Sequence, residues 1–316
     1  MMRVFVYEHL SGAGSAIAGA ELLGAGLAMR DAVVHDLLRA GDLRVSVAAD
    51  HAALAVPAAA LRVQAQPGTS AADFVAHQAR LHDRVWVIAP ETDGVLGQLQ
   101  RAVGAGRWLG CAAEAIALAS SKRATLARAA AHRVLTPLAF ATSRASSRWV
   151  VKPDDGAGAV ATRVHDTLAA ARGDAEARLQ RGESATLEAW VAGEPLSLSL
   201  LCRAGRTELL SVNRQQLVVD AAGKVSFTGV QIAALPLDDA RAAALDVWAQ
   251  TLVGAITGLC GFVGVDLVWH AQRGPVLIEI NPRVTMAYVG LSAALGRNLA
   301  EAVLAAHDRE PIRAAA

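Results

Sequence analysis

The chain has 316 residues, 53% of them hydrophobic but only 4% aromatic, so any core is built mainly from small aliphatic side chains. At roughly 150 residues per domain this length implies about two domains. Thirty Lys and Arg against 29 Asp and Glu leave a net charge of +1 without basic or acidic blocks, which excludes the basic stripe of nucleic-acid binders and, with the apolar content, intrinsic disorder.

The longest apolar runs are interrupted. Residues 112–120 contain Glu114, and no uncharged stretch approaches the roughly 20 residues of a membrane span. Val4-Phe5-Val6-Tyr7 stops at Glu8-His9, short of the about 7–15 apolar residues of a signal-peptide core. A cytoplasmic protein with no membrane partner is expected. Cys111, Cys202 and Cys260 lie far apart without a C-x-x-C pair, so they read as buried free thiols rather than disulfides or zinc ligands.

In chain order, residues 3–7 read as a strand and 24–39 as a helix, followed by strands at 43–48 and 61–63. Residues 70–81 open on a Ser cap and read as a helix, and 84–89 form a strong strand ending at Pro90. Alternating strands and helices predict a parallel sheet, whose ligands bind at the carboxyl ends of the strands. Those ends carry Glu8 and Glu91.

A long helix is expected over 112–132, closed by Leu135-Thr136-Pro137. Short β-like runs then dominate: 149–152, 159–164, 185–191, 196–202 and 207–212, with one helix over 167–179. A helix over 238–257, strands at 261–269 and 276–280, and a helix over 298–307 complete the chain. The pattern is α/β followed by α+β rich in antiparallel hairpins.

Asp266 lies within the apolar run Gly264-Val265-Asp266-Leu267-Val268-Trp269, and Glu279 within Leu277-Ile278-Glu279-Ile280-Asn281-Pro282-Arg283. Burying a carboxylate among aliphatics is costly without a compensating cation or donor. A hairpin through residues 270–275 brings the two carboxylates together, and Glu279 and Asn281, two apart, share a strand face. Such oxygen-only donors suit Mg²⁺ with phosphate oxygens, and Arg283 is a fixed cation for a phosphoryl group or oxyanion. Pairing of the carboxylates with Arg273 and Arg283 is the structural alternative.

Lys152 ends an apolar strand and precedes Pro153-Asp154-Asp155-Gly156-Ala157-Gly158-Ala159. Lysine charge and glycine backbone N–H groups suit phosphate, although neither a Walker A loop nor a Gly-x-Gly-x-x-Gly fingerprint is present; an ordinary turn is the alternative. Glu188 and Trp190 share a strand face ahead of the turn Gly193-Glu194. His35, His51, His77, His82, His132, His165, His270 and His307 show no metal-ligand spacing and read as surface residues, with His9 beside Glu8 left open.

Together these segments resemble the ATP-grasp superfamily of carboxylate–amine ligases over residues 112–310. Ser120-Ser121-Lys122 is similar to its Ser-Asp-Lys signature, with Ser121 in place of Asp. The resemblance implies an N-terminal parallel-sheet pre-ATP-grasp domain over 1–111 and a two-lobed ATP-grasp region over 112–316, with a central lobe at 136–192 and a C-terminal lobe at 193–310. It assigns Lys122 and Lys152 to ATP phosphates, Gly156 and Gly158 to the loop over them, and Glu188 to the adenine amino group. The backbone of Trp190 and Val191 would read the adenine edge and Glu194 the ribose. Asp266, Glu279 and Asn281 would hold Mg²⁺, or Mn²⁺ in its place, and Arg283 the acyl phosphate.

The segment Tyr7-Glu8-His9-Leu10-Ser11-Gly12, the turn Pro90-Glu91-Thr92-Asp93, Asn213-Arg214-Gln215 and the stretch after Asn281 resemble one subgroup. It includes the tyramine–glutamate ligase of methanofuran biosynthesis and relatives in one-carbon metabolism. Ala159 stands where that pattern has a further Gly, and Met286 where it has a small hydroxyl residue. The implied chemistry is amide formation through an acyl phosphate, with positioning and charge neutralisation doing most of the work. Partners are then a small-molecule acid and amine, with a homodimer as the assembly. Arg214 reads as a grip on a substrate carboxylate, and Glu8 and Glu91 as groups for the amine, against cap or turn roles. A ligase extending a glutamate chain and a nucleotide-binding protein without ligase activity are the alternatives.

Overall fold

The computed structural model describes residues 1–12, 20–50, 55–141, 148–156 and 158–308. His51, Ala157 of the phosphate loop and most of the run after Gly12 lie outside them.

The N-terminal region runs β1 (Met2–Glu8), α1 (His9–Gly12), α2 (Ala20–Arg39), β2 (Leu43–Ala48), β3 (Leu61–Val63), α3 (Ala71–Leu81), β4 (Arg84–Ile88), α4 (Val95–Val103) and β5 (Trp108–Leu109). The strands form one parallel sheet in the order β3-β2-β1-β4-β5. Strand alternation divides their apolar side chains between two faces. Val4, Val6, Val45, Val47, Trp86 and Ile88 pack on Val33, Val34 and Leu37 of α2. Phe5, Tyr7, Val85 and Val87 join Phe74, Val75 and Leu96 of α3 and α4. Strand order reverses between β1 and β4, so their carboxyl ends frame the crevice where open α/β sheets take ligands. Glu8 closes β1, and Glu91 follows β4.

The helix expected over 112–132 is two helices, α5 (Ala113–Ala119) and α6 (Lys122–Ala131). Ser121 adopts extended backbone and caps α6, its Oγ accepting from Ala124 N at 3.1 Å. This cap interrupts the Ala-rich run and turns Lys122 inward.

A three-stranded antiparallel sheet follows, with β6 (Trp149–Pro153), β7 (Arg163–His165), α7 (Leu168–Gln180) and β8 (Ala185–Ala189) in the order β7-β6-β8. The strand expected over 159–164 begins only at Arg163. Ala159 and Ala161 have φ of 60° and 54°, a left-handed geometry that no strand accommodates and that glycine prefers. A glycine at 159 would adopt that geometry without strain.

The larger antiparallel sheet contains β9 (Glu194–Arg203), β10 (Arg206–Val219), β11 (Val225–Leu235), β12 (Gly261–His270) and β13 (Gly274–Asn281), ordered β11-β10-β9-β12-β13. Helix α8 (Ala240–Ala255) precedes β12, and α9 (Leu291–Leu295) and α10 (Leu299–His307) follow β13. Val212, Leu198, Val265 and Ile280 stand opposite one another across four strands and pack with Leu245, Ala249 and Leu252 of α8. The neighbouring row on the other face is polar: Asn213, Ser197, Asp266 and Glu279.

Phe262 and Tyr288 enter the same apolar cluster as Trp86 and α2, and Tyr288 donates to Asp36 at 2.8 Å. This shared core brings the two regions together. The surface reading fails for three histidines, among them His165, whose largely buried ring meets Asp174 Oδ2 at 3.0 Å. His82 is buried between Ser46 Oγ and Gln78 O, and His307 bonds Val303 O and Gly110. Cys111 and Cys202 are buried free thiols, whereas Cys260 is partly exposed. No described helix is long and apolar enough to cross a membrane.

Candidate active site

Three cations assigned to phosphate each meet a carboxylate. Lys152 Nζ lies 3.0 Å from Glu188 Oε2, with both side chains almost wholly buried. Lys152 pairs with Thr186 and Glu188 with Val150 across β6 and β8, so Lys152 and Glu188 are diagonal neighbours on one face. The ammonium neutralises Glu188, yet neither carboxylate oxygen receives a hydrogen bond from the described residues. Thr186 Oγ1, buried nearby, is also without a partner among them.

Lys122 Nζ lies 3.2 Å from Glu279 Oε2 and donates to Gly156 O. It therefore links the metal-side carboxylate to the loop after β6. Arg283 forms a two-pronged pair with Glu91, Nε and Nη2 each 2.9 Å from a carboxylate oxygen. That pair joins β13 to the turn after β4, at the crevice of the parallel sheet.

Asp266 and Glu279 stand directly opposite in the β12–β13 hairpin. Burial, then the charge of Glu279, pushes the Asp266 carboxyl up to about 7, against donors on Gln215 and Asn281. Glu279 behaves oppositely: burial would raise it, but Lys122 and Lys152 hold it below the usual carboxylate range. Asn281 Nδ2 reaches Asp266 Oδ2 at 3.4 Å. Gly264, opposite Asn281, leaves room for it and for Thr285, whose Cγ2 would lie 2.5 Å from an added Cβ.

No cluster of three His, Cys, Asp or Glu suited to a metal occurs among the described residues. Asp266, Glu279 and the Asn281 amide nonetheless form an oxygen-only set in which Asp266 feels Arg283 at a distance but makes no direct ion pair among the described residues. This fits a hard divalent cation sharing its remaining positions with phosphate or water. The Glu188 oxygens without donors likewise fit an incoming N–H group such as an exocyclic amine.

Two expectations separate from this cluster. Arg214 bonds Glu194 at 2.7 Å, and Arg241 bonds the other Glu194 oxygen at 2.9 Å. Arg214 pairs with Leu196 and Glu194 with Trp269, so alternation sets both on the sheet face opposite Asp266. A substrate grip by Arg214 and a ribose contact by Glu194 are therefore not assembled beside the carboxylates. Glu8 is also engaged: its carboxylate accepts from Leu10 N at 3.1 Å and Ser11 N at 2.8 Å, which is the cap role. The Trp190 N–H already donates to Arg148 O, while Val191 is buried behind it.

Other residues take part without having been singled out. Gln215 bonds Asp266; its place two residues after Asn213 was the available signal, since alternation puts both on the polar face. Asp154 accepts from Ser121 Oγ at 2.7 Å and Arg123 N at 2.9 Å. Asp155 Oδ2 accepts from Asp93 N at 2.9 Å, tying the phosphate loop to the turn that carries Glu91. These partners are distant in sequence, and no local pattern marks them.

Comparison with known proteins agrees with this architecture. A pre-ATP-grasp domain model matches residues 43–116, and an ATP-grasp domain model matches residues 119–287. No curated protein matches significantly. Among solved structures, an ATP-grasp superfamily protein from Archaeoglobus fulgidus superposes with a TM-score of 0.69 at 21% identity, covering 96% of this chain and 88% of that one. The L-amino acid ligase of Bacillus licheniformis gives 0.68 at 18% identity, covering 96% and 73%. The D-alanine–D-alanine ligase of Bacillus anthracis gives 0.65 at 12% identity, covering 97% of each chain. At these identities the likeness is one of fold. The ATP-grasp match, spanning more than half of the chain, establishes that this protein belongs to the ATP-grasp family.

Proposed function

We propose that this protein is an ATP-dependent ligase that joins a carboxylate, glutamate, to a tyramine-like amine through an acyl phosphate. The observation that carries the reading is the field at Glu279. Lys122, Lys152 and Arg283 all act on this one carboxylate, which faces a second, Asp266. Such a cluster suits a polyphosphate bound with a divalent cation. The chain's neighbours in fold include ligases of amino acids.

In this reading Lys152 and Lys122 exchange their carboxylate partners for phosphate oxygens, and the loop through Gly156 and Gly158 covers them. Glu188, relieved of Lys152, accepts from the adenine amino group, with the Trp190–Val191 backbone along the adenine edge. Asp266, Glu279 and Asn281 hold Mg²⁺, or Mn²⁺, which supplies charge neutralisation to the phosphates. The substrate carboxylate attacks the γ-phosphorus and ADP leaves. Arg283 holds the resulting acyl phosphate through its planar fork. Glu91, released by Arg283, accepts the ammonium proton, so that the free amine displaces phosphate. Glu8 shapes the floor of the same crevice. The subgroup likeness of the sequence supports cofactor biosynthesis of the methanofuran type as the setting.

The test is incubation with ATP, Mg²⁺ and glutamate, with and without tyramine, following ADP and product mass. ADP and one amide adduct only when both substrates are present is the expected result. A ladder of glutamate additions would replace it with a chain-extending ligase. ATP binding without ADP across a broad panel of acids and amines would leave a nucleotide-binding protein.

A further inference from the structure

A cavity of about 440 Å³ lies away from the carboxylate cluster, where α4 and β5 meet the end of α8, the approach to β12 and the end of α10. Cys260 in its wall precedes Asp266 by six residues, about 20 Å along an extended strand. The two sites are therefore separate.

The lining contains no Asp, Glu, Lys or Arg. Trp108 gives a flat wall, Gly254 and Thr257 form part of the rim, and Gln100 of α4 faces the space. Gln100 is only 5% exposed, and its side-chain amide makes no hydrogen bond among the described residues. Its amide atoms are not among the buried polar atoms shut off from water, so the donor and acceptor of the side chain remain available to a solvent or ligand partner. Here the one direction open to it is the cavity. His307 supplies no competing donor, because Nδ1 is engaged by Val303 O at 2.8 Å and Nε2 by Gly110 N at 2.8 Å.

We propose that this cavity is a second ligand site, which takes a small uncharged molecule carrying an amide beside a flat apolar body. An ionised ligand would leave water for a wall without Asp, Glu, Lys or Arg, in which the His307 ring already spends both nitrogens on Val303 and Gly110. A ligand amide offers one acceptor and one donor, the complement of Gln100 Nε2 and Oε1. Trp108 favours a planar body, and the volume falls within the roughly 300–1,000 Å³ of small-molecule sites. Because the walls come from both the N-terminal region and the elements around the large sheet, the occupant bridges them.

Benzamide is the probe, with benzoate as its charged counterpart. Binding is read by ligand-observed saturation-transfer NMR, and by the rate at which N-ethylmaleimide modifies Cys260, resolved by peptide mass spectrometry. Cys111 and Cys202 are buried and serve as internal references. Two variants complete the test: Gln100→Leu removes the amide, and Gly254→Leu narrows the mouth at a helical position where an added Cβ meets nothing within 4 Å. Benzamide is expected to give saturation transfer and to slow Cys260 modification several-fold, benzoate to do neither, and both variants to lose the effect with cooperative melting retained. Absence of a benzamide signal, equal binding of benzoate, or persistence of the signal in Gly254→Leu would overturn the proposal. Unchanged binding in Gln100→Leu would overturn its amide recognition, and should that variant not fold, Gly254→Leu decides.

Discussion

Lys152 Nζ and Glu188 Oε2 stand 3.0 Å apart on one face of the small sheet, nearly shut off from water, although neither Glu188 oxygen accepts a hydrogen bond from the described residues. The pair is charge-balanced but poor in hydrogen bonds, an arrangement suited to exchanging partners when a nucleotide enters. Its energetics also determine which mutations are informative.

Removing one member of a buried ion pair strands the other, at a typical cost of about 3–5 kcal/mol. Lys152→Ala is therefore expected to lower stability by about that amount as well as to abolish ATP binding. Adding Glu188→Gln should recover most of the stability and none of the ATP binding. Denaturant unfolding and calorimetric ATP titration read the two quantities separately. If stability is equal in the single and double variants, the two residues are not coupled.

The facing carboxylates predict a pH dependence with a definite sign. Asp266 titrates at about 7 in the fold against 3.8 ordinarily. Between these values the folded protein holds a proton that the unfolded chain has lost. Its contribution is greatest below the lower value, declines as pH rises through the window, and is gone above about 7. Glu279, held low, acts in the opposite sense and loses its contribution as pH falls below the ordinary glutamate range. In chelator, the wild type should thus lose stability relative to Asp266→Asn between about pH 5 and pH 7. Mg²⁺ should raise the melting temperature more above pH 7 than at pH 5, where it competes with a proton. Equal Mg²⁺ stabilisation of wild type and Asp266→Asn would refute this.

Arg283 grips Glu91 through two parallel bonds. Lysine keeps the charge but not the fork. Arg283→Lys should therefore remain folded while ADP release in the presence of both substrates falls by about 10²–10³-fold, the range for loss of a preorganised oxyanion donor. Circular dichroism with steady-state ADP release checks both halves of the expectation, and near-normal turnover would remove Arg283 from the reacting groups.

Ser121 stands where the Ser-Asp-Lys signature that this segment resembles has Asp, and the structure supplies a reason. Asp154 already places a carboxylate at the start of α6, receiving Ser121 Oγ at 2.7 Å and Arg123 N at 2.9 Å. Ser121→Asp would set a second carboxylate against it, and two charges about 4 Å apart near a surface repel by several kcal/mol before solvent and salt relax them. Because Asp caps a helix about as well as Ser, the loss comes from this repulsion and from the Ser121–Asp154 hydrogen bond; about 1 kcal/mol is expected by urea unfolding, and Asp154→Ser in the same chain should restore it. A stabilising Ser121→Asp would contradict the cap geometry.

Much of the fold is legible locally. The strands β1, β2, β3 and β4 coincide with apolar runs, and Ser70 marks the start of α3 by accepting from Asp73 N. Helix α4 and the two-residue β5 are not legible, because one follows two left-handed residues, Asp93 and Gly94, and the other is defined only by pairing with β4. The Ala-rich stretch reads as one helix since its interruption lies in a cap bond rather than in a helix-breaking residue. His82 and His307 look like surface residues because nothing local reveals Ser46 and Gly110, the distant groups that hold them.

For the candidate site, the sequence by itself determined which residue types bear the chemistry, and that Glu279 and Asn281 share a face, because strand alternation is a property of the backbone. It did not determine who neutralises whom. Arg283 meets Glu91 across 192 positions, a pairing that exists only once the two regions share a core, and Lys122 meets Gly156 across 34, once α6 lies beside the loop after β6. The register of β9, β10 and β12 placed Arg214 and Glu194 on the α8 side, away from Asp266. A one-residue difference in position along a strand reverses the face of a side chain. The tertiary structure therefore decided which charges surround the facing carboxylates and which pair on the opposite face of the sheet.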